Sequence, residues 1–104
     1  MASRNTKKRP RALVTGASGS VGHFIVSALL DAGWDVTALD QPGTPFPDAP
    51  AGRMRRVEVD LARPEVPEEA VDGAVAVIHA AAIVDIGRSW EDLAPVNYDA
   101  TLRL

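Results

Sequence analysis

The chain has no cysteine, one tyrosine and two lysines among its 104 residues, and aromatic residues make up 5% of it. Without cysteine there is no disulfide framework and no thiolate metal site, a composition that suits a reducing cytosol and predicts a cytoplasmic protein. No apolar run reaches the roughly 18 residues needed to span a bilayer. The basic N-terminus is followed by no apolar stretch of the kind a secretory signal needs.

Positive charge is also scarce beyond the start of the chain. Arg4, Lys7, Lys8, Arg9 and Arg11 supply five of the eleven basic residues, and residues 12–104 carry six basic against fourteen acidic side chains. A body with a charge of -8 is a poor electrostatic match for nucleic acid, and no membrane surface is implied. Residues 1–10 read as a solvated, disordered basic tail.

What is present is a normal globular core, 46% apolar, arranged in alternating short runs. Arg11–Thr15 reads as a buried strand. A helix follows over about Gly19–Ala32, with Val21, Phe24, Ile25, Ala28 and Leu29 at helical spacing and Gly33 as its stop. Trp34–Leu39 reads as a second strand, closed by Asp40. Residues 41–52 contain four prolines and read as a loop. Met54–Val59 is a third strand, near an edge because half its alternation is polar. Residues 63–73 support at most a short helix. Ala74–His79 is unbroken and apolar, the pattern of a parallel strand buried on both faces. Residues 91–104 read as a last helix constrained by Pro95. This order predicts an α/β fold of the Rossmann type, a doubly wound parallel sheet of strand order 3-2-1-4 with helices on both faces.

Between the first strand and the first helix stand Gly16, Gly19 and Gly22. A phosphate that approaches a backbone needs exposed N–H groups and no Cβ in the way, and a helix N-terminus supplies free donors and partial positive charge. Gly16 permits the tight turn, Gly19 the approach of a pyrophosphate, and Gly22 the close packing of helix on strand. Ser18 and Ser20 add hydroxyl donors. Asp40 lies 18 residues beyond Gly22, near the spacing of about 20 expected of a ribose-binding carboxylate. A P-loop is excluded because no Gly-Lys-Ser/Thr follows. Asp40 would repel a 2′-phosphate, and Gln41, Pro42, Gly43 and Thr44 offer no cation for one. NAD is therefore expected ahead of NADP, although Arg53, Arg55 and Arg56 could fold back by a path the sequence does not specify.

Four motifs in order resemble the extended short-chain dehydrogenase/reductase family, also called the NAD-dependent epimerase/dehydratase family. They are TGASGSVG at 15–22, VDL at 59–61, HAAA at 79–82 and VNYDATLRL at 96–104, the last with Ala100 where the family has glycine. The resemblance covers residues 11–104. It implies that Gly16, Gly19, Ser20, Val21 and Gly22 surround the pyrophosphate, beside the Ser18 hydroxyl read above, and that Asp40 holds the adenosine ribose. It further implies that Asp60 and Leu61 hold the adenine, that Ala80, Ala81 and Ala82 pass beside the nicotinamide ribose, and that Asn97 reaches the cofactor region from its helix or orders the active-site water. Each has a plainer reading. Asp60 also reads as a carboxylate capping the segment after it, Ala80–Ala82 as close packing and Asn97 as a helix cap. His79 reads as a structural histidine at a strand end, His23 as a surface residue, and Trp34 and Trp90 as packing residues.

Family chemistry resembles acid–base work around a hydride transfer, with a tyrosine and, four residues on, a lysine that lowers its pKa. Here Tyr98 is the single tyrosine, position 102 is leucine, and Lys7 and Lys8 lie in the tail. No catalytic and no metal-ligating residue is assigned. The resemblance implies the cofactor-binding half of an oxidoreductase, epimerase or dehydratase acting on a nucleotide sugar or a small hydroxyl or carbonyl compound. A non-catalytic redox-sensing module and an inactive fragment stay open beside it. In a chain that stopped at Leu104, Ala74–Ile78 would form an exposed apolar sheet edge, which predicts association into a homo-oligomer.

Overall fold

The alternating runs resolve into β1 (Arg11–Thr15), α1 (Ser20–Asp31), β2 (Asp35–Asp40), β3 (Met54–Glu58), α2 (Glu68–Val71) and β4 (Ala74–His79). The structure is a computed structural model and describes residues 9–62, 66–81 and 91. Residues 92–104 of the predicted helix over 91–104 and nearly all of the predicted tail lie outside them.

All strand pairs are parallel and the sheet order is β3-β2-β1-β4, as the sequence predicts. Successive side chains on a strand face opposite sides, so the sheet supports two cores. Leu13, Leu39 and Val57 share one face with Ala70 of α2. Val14, Val36 and Ala38 share the other with Val26 of α1. Leu13, Leu39, Val14, Val26 and Val36 are fully buried, and burying such a side chain stabilises the fold by roughly 1.5–3 kcal/mol.

Three expectations are corrected. The buried face of α1 is formed by Gly22 and Val26, with Ile25, Leu29 and Leu30 packed beside it. Val21 and Phe24 are 65% and 76% exposed. The cause is the close seat of Gly22, where a Cβ would overlap the Gly16 carbonyl oxygen. Seating position 22 against the strand turns positions 21 and 24 outward. Next, β2 begins at Asp35 and not at Trp34, because the Trp34 N–H donates to the Leu29 carbonyl at 2.9 Å in the turn that closes α1. Finally, β4 is not buried on both faces. Val75 and Val77 are 71% and 45% exposed; they lie on the face that Leu13 shares with α2, and among the described elements α2 packs chiefly over β2 and not over β4.

Candidate functional site

The parallel registers bring the strand ends level. Thr15 pairs with Leu39 on one side and with His79 on the other, and Asp40 pairs with Glu58. The loops after β1, β2, β3 and β4 therefore share one edge of the sheet. The chain steps outward from β1 through β2 to β3 and then returns to the far side of β1. That reversal is the switch point at which open α/β sheets form a crevice.

The loop after β1 is shaped by two glycines. Gly16 has φ 70°, the left-handed region that glycine adopts readily. It also abuts the chain leaving β4, and a Cβ there would sit 2.8 Å from the Ala81 nitrogen and 2.9 Å from the Ala80 carbonyl carbon. Gly22 is closed to any side chain by the Gly16 carbonyl. Gly19 differs from both. It is exposed, its φ of -76° suits any residue, and a Cβ would meet one atom within 4 Å, the Gly16 carbonyl oxygen at 3.4 Å. Nothing among the described residues requires a glycine there.

Helix α1 starts without a side-chain cap and without an acidic residue in its first turn. The His23 N–H makes the first helical bond, to the Gly19 carbonyl at 2.8 Å. The amides of Ser20, Val21 and Gly22 precede that bond. They form an uncapped set of donors at the positive end of a 12-residue helix.

Asp40 joins this loop to the end of β2. One carboxylate oxygen accepts the Ser18 N–H at 2.9 Å, and the other accepts its neighbour Gln41 N–H at 2.8 Å. The Ser18 hydroxyl lies 2.9 Å from that of Thr44, which itself donates to the Gln41 carbonyl at 2.8 Å. With the Thr44 proton engaged there, Ser18 is the donor in the hydroxyl pair. Ser20, the other candidate hydroxyl, is exposed.

After β3, Asp60 accepts the Ala62 N–H at 2.9 Å, the capping arrangement its plainer reading anticipates. Leu61 is 4% exposed and packs with Leu13, Leu39, Val57 and Ala70. Ala80 and Ala81 lie against Gly16, with the Ala80 N–H on the Thr15 carbonyl at 3.2 Å. Ala82 and Asn97 fall outside the described residues.

Among the described residues, none of the three arginines bonds to Asp40, although Arg56 stands on β3 beside Ala38, two residues before the partner of Asp40. Arg53 donates to Asp35 at 2.8 Å and to the Leu30 and Trp34 carbonyls, at the opposite end of β2. Arg55 donates to the carbonyls of Glu69 and Asp72. The Arg56 guanidinium sits 5.6 Å over the Phe46 ring. Among the described residues, no group of three acidic or histidine side chains is arranged to hold a metal ion.

Sequence reasoning missed two features of this edge. One is Thr44, whose hydroxyl donates to the Gln41 carbonyl three residues back, a local side-chain-to-backbone bond within Gln41–Thr44. The other is a side-chain pair between Thr15 and His79, for which no local signal exists because 64 residues separate them.

A sequence model of the NAD dependent epimerase/dehydratase family matches residues 12–104. A 3-beta-hydroxysteroid dehydrogenase of Mycolicibacterium neoaurum is 38% identical over 76 residues, 73% of this chain and 20% of that protein. The chain thus spans about a fifth of the length of this curated relative. Among solved structures, the WbmG enzyme of Bordetella bronchiseptica in complex with NAD superposes with a TM-score of 0.73 at 22% identity, over 93% of this chain and 33% of that one. MoeE5 in complex with UDP-glucuronic acid and NAD superposes with a TM-score of 0.72 at 30% identity, over 91% and 31%.

Proposed function

The chain belongs to the NAD-dependent epimerase/dehydratase family, and from that premise we propose that residues 11–104 form the NAD-binding part of an oxidoreductase, epimerase or dehydratase. Gly19 is the observation that carries this reading. The protein leaves room for a side chain there and has none, directly beside the uncapped amides of α1. A diphosphate that must reach the backbone accounts for that choice.

In this reading the amides of Ser20, Val21 and Gly22 grip the diphosphate. The Asp40 carboxylate accepts from the adenosine ribose hydroxyls with its remaining lone pairs. Asp60 and Leu61 border the adenine, and Ala80 to Ala82 pass the nicotinamide ribose with Asn97 nearby. The donor set fits the group: free amides for the diphosphate, a carboxylate for a ribose diol, and no arginine directed at Asp40 among the described contacts. NAD is preferred over NADP because a 2′-phosphate would meet the negative charge of Asp40 uncompensated. When bound, the nicotinamide supplies the hydride acceptor or donor.

The substrate in this reading is a nucleotide sugar, as the UDP-glucuronic acid held by MoeE5 suggests, or a small hydroxyl or carbonyl compound, as the steroid dehydrogenase suggests. Its binding groups and the tyrosine–lysine pair are supplied by the part of such relatives that this chain does not span. The protein works in the cytoplasm, where a chain without cysteine is at home.

Titration of the purified chain with NADH and NADPH, followed by nicotinamide fluorescence, tests the reading. Saturable NADH binding, weaker NADPH binding and loss of the preference in Asp40→Ala support it. Absence of binding to either dinucleotide by a folded chain refutes it.

A further inference from the structure

The residues that end β1 and β4 are joined side chain to side chain. Thr15 Oγ1 and His79 Nδ1 lie 2.6 Å apart, and the same Oγ1 accepts the Ala81 N–H at 3.2 Å. Thr15 is fully buried. A threonine hydroxyl carries one proton, and among the described residues it has no acceptor other than His79 Nδ1. With that proton on the Thr15–His79 contact, Nδ1 is the acceptor and the imidazole carries its own proton on Nε2. That Nε2 is buried and has no partner among the described residues. Burial pushes the imidazole below its ordinary pKa, in keeping with a neutral ring.

This unit stands where the chain from β4 touches the glycine turn. The place a Gly16 Cβ would occupy lies 2.8 Å from the Ala81 nitrogen, so a small shift of Ala81 would open or block that contact. The Ala81 amide is held by the Thr15 hydroxyl oxygen, whose lone pairs face the amide only while its proton is directed elsewhere.

We propose that His79 is a positioning residue of the dinucleotide crevice: as the neutral Nε2–H tautomer it accepts the Thr15 hydroxyl proton, and through Thr15 it fixes the Ala81 amide against Gly16. The proposal rests on the NAD reading above. It makes His79 part of how the crevice is shaped, without contact between the imidazole and the reacting atoms.

Two measurements on the 104-residue chain test it. The first is imidazole 15N NMR at pH 7.5. His23 provides an internal contrast, because its Nδ1 lies 3.3 Å from the Gly19 carbonyl and acts there as a donor. The expected spectrum shows a bare Nδ1 and a protonated Nε2 on His79, and Thr15→Val, which keeps the shape and removes the hydroxyl, erodes that preference. A proton on His79 Nδ1 in the wild type overturns the proposal. The second is NADH affinity. Thr15→Val and His79→Leu weaken it about tenfold, the scale of one buried hydrogen bond. Thr15→Ser and His79→Asn, whose amide oxygen can replace Nδ1 as acceptor, stay within about threefold of wild type. Unchanged affinity in folded Thr15→Val, or no rescue by His79→Asn, overturns the positioning role. If the folded wild type binds no NADH, the NAD reading falls and the positioning role with it, while the spectrum still decides the tautomer by itself.

Discussion

The Ser18 amide donates to the Asp40 carboxylate at 2.9 Å, tying the glycine turn after β1 to the acidic end of β2. The carboxylate that the NAD reading assigns to the ribose is thereby also a structural acceptor for the loop that faces the diphosphate. Replacing it removes both roles. Asp40→Ala is expected to lower NADH affinity at least tenfold and to speed hydrogen exchange at the Ser18 and Gln41 amides, both measurable on the purified chain. Unchanged exchange at Ser18 would contradict the tie.

Gly19 and Gly22 separate ligand approach from packing. Gly19→Val should fold with a thermal midpoint within a few degrees of wild type, because its backbone is extended and the position is open, yet bind NADH at least tenfold more weakly. Gly22→Val should lose stability by roughly 3 kcal/mol or more, since its side chain would meet the Gly16 carbonyl and the seat of α1. Calorimetry of the two variants makes the comparison.

The hydroxyl pair of Ser18 and Thr44 joins the loops after β1 and β2 at 2.9 Å. Thr44→Val should cost about 0.5–1.5 kcal/mol of stability in urea unfolding, the net worth of an ordinary hydrogen bond. It should also weaken NADH binding less than Asp40→Ala does.

His79 gives the fold a pH dependence whose sign follows from its lowered pKa. Burial disfavours the protonated ring, so at pH values below about 6.5 the unfolded chain takes up a proton that the folded chain resists. The contribution of His79 to stability is therefore fully present above that value and declines as pH falls toward the folded pKa. Urea midpoints at pH 7.5 and pH 5 should differ more for wild type than for His79→Asn, which has no group titrating in that window.

The largest fully buried side chain of β1 is Leu13, which shares the α2 face with Leu39 and Val57. Leu13→Ala should destabilise the chain by about 2–5 kcal/mol, read as a lowered urea midpoint. The exposed positions Val75 and Val77 of β4 should tolerate polar substitution with far smaller effect.

By itself the sequence determined the order of strands and helices, the parallel topology, and the glycine turn with Asp40 at the end of the next strand. Those features are local or periodic, carried by side-chain alternation along a strand, by helical spacing and by glycine at positive φ. The orientation of α1 depended on a contact that periodicity does not contain. Positions 21, 24, 25, 28 and 29 and positions 22, 25, 26, 29 and 30 are both acceptable helical stripes, and the seat of Gly22 on the Gly16 carbonyl chose between them. Only the tertiary structure decided the distant partners of Asp40, Thr44 and Thr15, which are Ser18 for the first two and His79 and Ala81 for the last. These bonds cross 22 to 66 residues of chain, and they form because the parallel registers bring the ends of β1, β2 and β4 level at one end of the sheet.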